Sequence, residues 1–172
     1  MTDVVIRTAT SRDAEALDAL IRSHQAEGHL LPRSVDEIRR RAGQFVVCDA
    51  AGTLRACAEL APLSSTVAEI RSLVVSRDFR RVGIAARLVD EVRKRAYAAG
   101  FTSLTAFTHD AHFFVRHNFS IVPHTFVPEK IARDCTSCPL FRKCDQRAML
   151  LPLPEVMRYA PAREDEPQVA VA

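Results

Sequence analysis

An alternation of helical and extended patterns along the 172-residue sequence predicts an α/β fold. Apolar runs of strand length at 45–49 and 54–60 flank a turn and should pair as a hairpin. Residues 84–96 instead carry apolar side chains at helical spacing, after a further apolar strand. In chain order we expect a strand, two helices, three strands, a helix, a strand, a helix and a strand, with a last strand at 148–151.

The first elements are delimited by capping residues. Residues 4–7 are a predicted strand, and Ser11 is the expected cap of the first helix. That helix should end at Gly28, because glycine readily adopts the left-handed conformation that terminates helices. Ser34 and Glu37 have the spacing of a capping box, so we expect a second helix to begin there.

Composition and charge fit one folded domain with a sizeable core. The chain is 48% hydrophobic and carries 24 basic and 21 acidic residues, a balance too even to predict a nucleic-acid partner. No apolar run has the length of a membrane span, and residues 1–10 lack the pattern of a signal peptide. We therefore expect a cytoplasmic protein whose five cysteines are thiols or metal ligands. Cys48 and Cys57 lie within apolar strands and should be buried thiols.

The most informative stretch runs from residue 68 to residue 88. It reads AEIRSLVVSRDFRRVGIAARL, a strand followed by a basic loop and the start of a helix. Main-chain N–H groups at a helix N-terminus lack partners and carry partial positive charge, so they bind anions. Gly83 allows the main chain to approach a ligand closely. The order predicts a phosphate site, although an ordinary basic helix cap has the same composition.

Arg80, Gly83 and Ala85 form the pattern Arg-x-x-Gly-x-Ala after a strand, which resembles the pyrophosphate loop of the GNAT N-acetyltransferases. The resemblance covers most of the chain and implies a mixed central sheet of about six to seven strands flanked by about four helices. We expect a GNAT domain over 1–151, followed by a weakly ordered tail over 152–172 with little apolar patterning. The implied cofactor is acetyl-CoA, bound by Leu73, Val74, Val75, Arg80, Arg81, Val82, Gly83, Ile84 and Ala85.

Glu69 lies in the strand before this loop and is the candidate general base. Transfer of acetyl from a thioester requires a neutral amine, which a carboxylate can deprotonate directly or through a water. Because side chains alternate along a strand, Arg71 should share the face of Glu69 and could hold a substrate carboxylate. The two residues could instead form a purely structural ion pair. The resemblance further implies that main-chain N–H groups near Leu73 or Val74, past a bulge in this strand, stabilise the oxyanion.

The general acid that is common in the family is missing from this sequence. Many GNAT enzymes carry a tyrosine in a pattern like Phe-Tyr-x-x-x-Gly-Phe, and the matching run 113–119 has Phe114 in the tyrosine position. Phenylalanine cannot donate a proton. The loss need not end activity, because a thiolate is a good leaving group. Thr108, at the end of the preceding strand, is the candidate substitute as a proton donor or water holder.

Further segments together resemble the acetyltransferase domain of bacterial N-acetylglutamate synthases, in the short form without an amino-acid-kinase domain. They are 30–34, 68–75, 113–119, and 128–130 with 133–135. This resemblance implies acetylation of the α-amine of glutamate, the first step of arginine synthesis, with Glu69 as base and Arg33 as carboxylate ligand. A dicarboxylate substrate needs cations, although each of these could be an ordinary surface charge. The candidate substrate cations are Arg33, Arg71, Lys130 and Arg133.

Cys135, Cys138 and Cys144 form a group that the acetyltransferase resemblance does not explain. The first two have the spacing of zinc ligands, but a closed structural site needs a fourth ligand, which His124 or Asp145 could supply. Reduced thiols that brace a loop are an alternative. A bridge between Cys138 and Cys144 that locks the segment over the acceptor site is another.

Three functions therefore remain open at this point. The first is acetylation of glutamate or a similar amino acid, and the second is acetylation of another small amine or a protein amine. The third is a non-catalytic sensor of metal, redox state or an amino acid on the same fold. Polycationic acceptors would need an acidic pocket, so Arg33 and Lys130 argue against them. The oligomeric state is open, and we allow for a homodimer.

Overall fold

A seven-stranded mixed sheet forms the centre of the computed structural model, which describes residues 4–25 and 33–154. Its strands are β1 (Val4–Thr8), β2 (Phe45–Ala50), β3 (Thr53–Pro62), β4 (Val67–Val75), β5 (Ser103–Thr108), β6 (Ser120–Val122) and β7 (Arg147–Pro152). The order across the sheet is β1-β2-β3-β4-β5-β7-β6, and within these residues β4 and β5 form the one parallel pair. The expected mixed sheet is confirmed.

Five helices in the described residues flank the sheet, one more than the four expected. They are α1 (Ala14–Gln25), α2 (Val35–Arg40), α3 (Ile84–Ala98), α4 (Ala111–Val115) and the single turn α5 (Pro128–Lys130). The last continues directly as a π-helix over Ile131–Cys135. The predicted order of strands and helices up to β6 is confirmed, and α5 with its π-helix is the addition.

Side chains are buried on both faces of the central strands because helices cover both faces. Phe45 and Val47 pack with residues of α1 and α2, whereas Val46 and Cys48 pack with α3. Cys48 and Cys57 are fully buried, as expected for core thiols. The stripe of α3 that meets the sheet consists of Ile84, Leu88, Val89, Val92 and Ala96.

The first helical turn begins one residue earlier than predicted. Thr10 is the capping residue, and its N–H donates to the Asp13 carboxylate at 2.7 Å. Ser11 is already inside the turn, so its prediction as the cap was wrong. Arg7 of β1 also donates a hydrogen bond to the Asp13 carboxylate. This bond and those from Thr10 lower the pKa of Asp13, although partial burial acts to raise it. The predicted helix end at Gly28 lies outside the described residues.

The C-terminal strand extends past the predicted domain boundary at residue 151. Pro152 belongs to β7, and Leu153 is buried in the core, where its N–H donates to the carbonyl of Thr102 at 2.8 Å. The folded domain therefore includes Leu153, which corrects the predicted boundary. Residues 155–172 lie outside the described part of the chain. Among the helices of residues 4–25 and 33–154, none combines the length and apolar character that a membrane crossing requires.

Strand β4 carries a β-bulge where it faces β3. The pairs Cys57↔Val74 and Glu59↔Arg71 enclose two steps along β3 but three along β4. Ser72 lies within this extra length and has a φ of 48°, a left-handed conformation that residues other than glycine rarely adopt. The bulge expected in this strand is therefore confirmed.

Candidate active site

A cleft of about 1390 Å³ opens where β4 and β5 diverge. The parallel pairing of these strands ends at Ile70↔Ala106, and beyond that point β4 continues without β5 beside it. Residues 69–75 of β4, the loop before α3, residues of α4 and part of the segment 130–139 line the cleft. The strand that carries Glu69 therefore meets the basic glycine-containing loop in one cavity.

The loop before α3 is shaped by two left-handed residues. Arg81 has a φ of 66° and Gly83 a φ of 82°, and α3 begins directly after Gly83. A Cβ at Gly83 would meet no atom within 4 Å, so glycine is favoured there by backbone conformation rather than by space. The start of α3 faces the cleft through Ala85. Free N–H groups and the helix dipole at this end suit a diphosphate.

Two of the nine predicted cofactor residues do not line the cleft. Ile84 turns its side chain into the core, and Val82 is 66% exposed outside the lining. Arg80 is fixed against the end of β4, since its Nε donates to the carbonyl of Val75 at 3.1 Å. The predicted cofactor residues that line the cleft are Leu73, Val74, Val75, Arg80, Arg81, Gly83 and Ala85.

Glu69 lies between two cations at the cleft. Its carboxylate accepts hydrogen bonds from Arg71 Nε at 2.6 Å and from Lys130 Nζ at 2.8 Å, and the residue is 3% exposed. The contact confirms that Glu69 and Arg71 share a face of β4. Burial disfavours the charged guanidinium, but the charge and hydrogen bond of Glu69 outweigh it and raise the pKa of Arg71. Arg71 therefore stays charged and donates to the Glu69 side chain.

Asp134 adds a second carboxylate to this group. It accepts hydrogen bonds from Arg71 and from Lys130, the latter at 2.9 Å. Burial acts to raise the pKa of Asp134, but the hydrogen bond and charge of Lys130 and the charge of Arg71 outweigh it, so the pKa is lowered. The Lys130 ammonium also lies 5.3 Å from the centre of the Phe107 ring. Two cations and two carboxylates thus neutralise each other at this end of the cleft.

Arg33 lines the cleft but is already paired with two carboxylates. Its Nη1 donates to Glu59 at 2.5 Å and its Nη2 to Glu37 at 2.8 Å. Ser34 caps α2 by accepting the N–H of Glu37 at 3.1 Å, as predicted. The Glu37 side chain binds Arg33 instead of closing the capping box. Glu59 is fully buried, and it brings Arg33 to β3 rather than leaving it open to a ligand.

The position of the usual tyrosine is filled by a packed aromatic ring. Phe114 is buried, with ring centres 5.2 Å from Phe113 and 5.3 Å from Phe119 in edge-on geometry. Thr108 lines the cleft nearby, and its hydroxyl oxygen accepts the N–H of Asp110 at 2.9 Å. That contact fixes the oxygen and leaves the hydroxyl hydrogen to donate. Thr108 therefore stays a candidate proton donor.

Arg133 is not brought to the site with the other predicted substrate cations. Its guanidinium donates to the carbonyl of Pro62, and it does not line the cleft. Lys130, three residues earlier, lines the cleft instead. Residues 131–135 form a π-helix, in which a turn takes more than four residues, so Arg133 does not share the face of Lys130.

The three C-terminal cysteines do not form a metal site. In the described ranges no group of three or more His, Cys, Asp or Glu side chains is placed to hold a metal ion, so the zinc hypothesis is unsupported. Cys135, Cys138 and Cys144 are all free thiols, without the bridge considered from the sequence. The proposed fourth ligands are engaged elsewhere: His124 bonds the carbonyl of Gln146, and Asp145 bonds His109.

The sequence interpretation missed the two carboxylates that organise the cations, Glu59 and Asp134. Each had a signal. Asp134 follows Lys130 by four residues, the spacing of an ion pair on a helix. Glu59 is the one charged residue in the apolar run 56–61, and a charge in such a run is rarely buried without a partner.

A family model described as the acetyltransferase (GNAT) family matches residues 12–119 of this chain. The chain belongs to the GNAT family. It is an acetyl-CoA-dependent N-acetyltransferase, and the loop, bulge and diverging strands described above lie in or beside the matched region. An uncharacterized N-acetyltransferase from Chlorobaculum tepidum is 34% identical over 148 residues, covering 86% of this chain and 96% of the relative.

Other relatives of this GNAT enzyme have named activities. The amino-acid acetyltransferase of Azotobacter vinelandii is 34% identical over 116 residues, which cover 66% of this chain and 27% of that protein. The N-acetylglutamate synthase of Neisseria gonorrhoeae, solved with coenzyme A and N-acetyl-glutamate, superimposes with a TM-score of 0.79 at 26% identity. That match covers 90% of this chain and 36% of the synthase. The chain therefore spans roughly a third or less of these two proteins.

Proposed function

We propose that this enzyme transfers acetyl from acetyl-CoA to the α-amine of an amino acid, with L-glutamate as the first candidate. The observation that carries the proposal is the pairing of Glu69 with Arg71 and Lys130 inside the cleft that also contains the loop before α3. A proton acceptor thus lies beside cations that can bind a carboxylate. The similarity to an amino-acid acetyltransferase and an N-acetylglutamate synthase supports the same acceptor class.

In the proposed mechanism, main-chain groups hold the cofactor. The first turn of α3 binds the diphosphate, and Arg81 adds a positive charge at the same loop. The N–H group of Leu73 or Val74, at the bulge of β4, donates to the thioester oxygen and stabilises the oxyanion that forms on attack. This group is fixed before the reaction, so it needs little reorganisation when charge develops.

Glu69 takes a proton from the substrate ammonium, directly or through a water. The neutral amine attacks the thioester carbonyl, a C–N bond forms, and the C–S bond breaks as coenzyme A leaves as a thiolate. The hydroxyl of Thr108 or a water returns a proton to the thiolate, since Phe114 cannot.

The substrate carboxylate has to compete with carboxylates of the protein. It would replace Asp134 as a partner of Lys130 and Arg71, because both cations are already bonded to that side chain. Arg33 stays a candidate ligand for the second carboxylate of glutamate, in competition with Glu37. The product would be the acetylated amino acid that begins arginine synthesis, made in the cytoplasm.

The test is a thiol-release assay with a panel of amines at one acetyl-CoA concentration. L-glutamate should give the highest kcat/KM, with L-glutamine and L-aspartate lower and spermidine lowest, because the site offers cations to a carboxylate. Equal or better turnover of spermidine would overturn the amino-acid assignment. If no amine in the panel supports thiol release while coenzyme A still binds tightly, the result would favour a sensor instead.

A further inference from the structure

The bulge of β4 is bound by both β3 residues that border the break in register. Cys57 and Glu59 are the last paired positions on either side of it. The Cys57 thiol donates to the carbonyl of Ser72 at 3.3 Å. Glu59 reaches the same residue through Arg33, whose Nη1 lies 2.5 Å from the Glu59 carboxylate and 3.3 Å from Ser72 Oγ. Ser72 is therefore held at its main chain and at its side chain.

This residue needs such support because its backbone is strained. Ser72 has a φ of 48°, a left-handed conformation that is unfavourable for residues other than glycine. Strained conformations persist where the surrounding structure fixes them, and they concentrate at functional sites. Leu73 and Val74 follow at once and line the cleft, so the conformation of Ser72 sets the direction of their N–H groups.

The Glu59–Arg33 ion pair behind the bulge is largely shielded from solvent. Glu59 is fully buried, and the Arg33 side chain is 10% exposed. Burial disfavours the charged form of Arg33, but the hydrogen bond and charge of Glu59 outweigh it and raise its pKa. Arg33 also stacks over Phe45, with 5.6 Å from the guanidinium carbon to the ring centre, and Arg41 approaches Glu59 at 3.5 Å. The pair is thus fixed from several sides.

We propose that Glu59 and Cys57 are positioning residues for acetyl transfer: they hold Ser72, Glu59 through Arg33, in the bulge that aims the N–H groups of Leu73 and Val74. Neither is a catalytic residue, because neither contacts the reacting atoms. The proposal rests on the proposed role of those N–H groups and is independent of which amine accepts the acetyl group. It predicts losses in kcat with little change in the KM for acetyl-CoA.

The first test compares Ser72→Ala with Ser72→Gly. Both variants remove the hydroxyl that Arg33 contacts, but glycine also relieves the left-handed backbone. We expect roughly a tenfold loss of kcat in both, less than the 10²–10³-fold that follows removal of a whole oxyanion donor. The melting temperature should be higher for Ser72→Gly than for Ser72→Ala. If Ser72 only serves stability, kcat will follow the melting temperature and Ser72→Gly will retain full activity, which would overturn the proposal.

The second test uses Cys57→Ala, Cys57→Ser and the matched control Cys48→Ala. Both cysteines are fully buried, but Cys48 lies on β2, away from the bulge. The proposal predicts a lower kcat for Cys57→Ala and little effect of Cys48→Ala. The kcat should recover in Cys57→Ser, because a hydroxyl can donate to the same carbonyl. Equal kcat in Cys57→Ala and Cys48→Ala would contradict it.

The third test uses Glu59→Gln and reads the bulge directly by amide hydrogen exchange of the peptide that contains Leu73 and Val74. Exchange should be faster in Glu59→Gln and Cys57→Ala than in wild type or Cys48→Ala. This measurement needs no acceptor amine, so it separates failure of the positioning proposal from failure of the glutamate assignment. Unchanged amide exchange in both variants would contradict the proposal. If Glu59→Gln does not fold, the exchange measured for Cys57→Ala decides alone.

Discussion

The two ends of the cleft are built in different ways. The proposed cofactor end is a continuous piece of chain, in which β4 leads through Arg81 and Gly83 into α3, and the groups proposed to bind the cofactor are main-chain N–H groups. The acceptor end is assembled from side chains far apart in sequence. Glu69 meets Lys130 across 61 residues, and Arg71 meets Asp134 across 63.

This difference separates what is common to the family from what selects a substrate. A main-chain site depends on backbone conformation, so many side chains can be exchanged around Gly83 without loss of the anion site. A network of partly buried charges depends on every member, because removal of one partner leaves an uncompensated charge. We therefore expect loss of the base or of a substrate cation at the acceptor end to lower activity more than substitutions at the cofactor end.

The largest effect should come from Glu69→Gln. The amide keeps the size of the side chain but cannot accept the substrate proton, so kcat should fall by about 100-fold or more. Binding of coenzyme A, measured by calorimetry, should persist because the loop before α3 is unchanged. Glu15→Gln, on the exposed surface of α1, is the control and should retain activity. An unchanged kcat in Glu69→Gln would remove Glu69 from the mechanism.

Next in size is the effect of Lys130→Ala. Loss of this ammonium removes a charge-assisted contact to the substrate carboxylate, so the KM for glutamate should rise about tenfold or more while the KM for acetyl-CoA changes little. Lys143→Ala, an exposed lysine of the same C-terminal segment, is the matched control. Equal increases in both KM values would show that Lys130 supports the cleft as a whole rather than the acceptor.

The fold could be predicted largely from local patterns. The spacing of Ile84, Leu88 and Val92 identified α3, and the apolar runs around Gly52 identified the β2–β3 hairpin. The bounds at the chain ends were less predictable, because Leu153 is ordered by packing in the core and by a hydrogen bond to Thr102. Contacts of that kind depend on the assembled fold.

The contacts within the site could be predicted only where the partners are neighbours in sequence. Glu69 and Arg71, two residues apart on one strand, were expected together and are together. Arg33 was expected to meet a substrate carboxylate, but a protein carboxylate, Glu59, occupies it from 26 residues away. Sequence spacing identifies a cation, whereas its partner is decided by three-dimensional packing.

At the cofactor end, Gly83→Ala should have a several-fold effect. Alanine meets no atom within 4 Å there, so the cost is that of a left-handed backbone, about 1 kcal/mol. We expect the KM for acetyl-CoA to rise up to about fivefold, which corresponds to that energy, with the KM for glutamate unchanged. Gly43→Ala is the control, since that glycine also has open space but no positive φ. A loss as large as that of Glu69→Gln would contradict the contrast between the two ends.

The smallest expected effect is a pH-dependent change in stability from Asp134→Asn. Folding lowers the pKa of Asp134, so the carboxylate contributes stability above its unfolded pKa, about 3.9, and loses it as the pH falls through the folded value. The variant should therefore melt a few degrees below wild type at pH 7, roughly 2–4 °C for each kcal/mol in a chain of this size. The difference in melting temperature between variant and wild type should narrow below about pH 4. Asp36→Asn, which removes an exposed ion pair with Arg39, should change the melting temperature little at either pH. A gap for Asp134→Asn that stays constant down to pH 3 would mean that its charge does not stabilise the acceptor end.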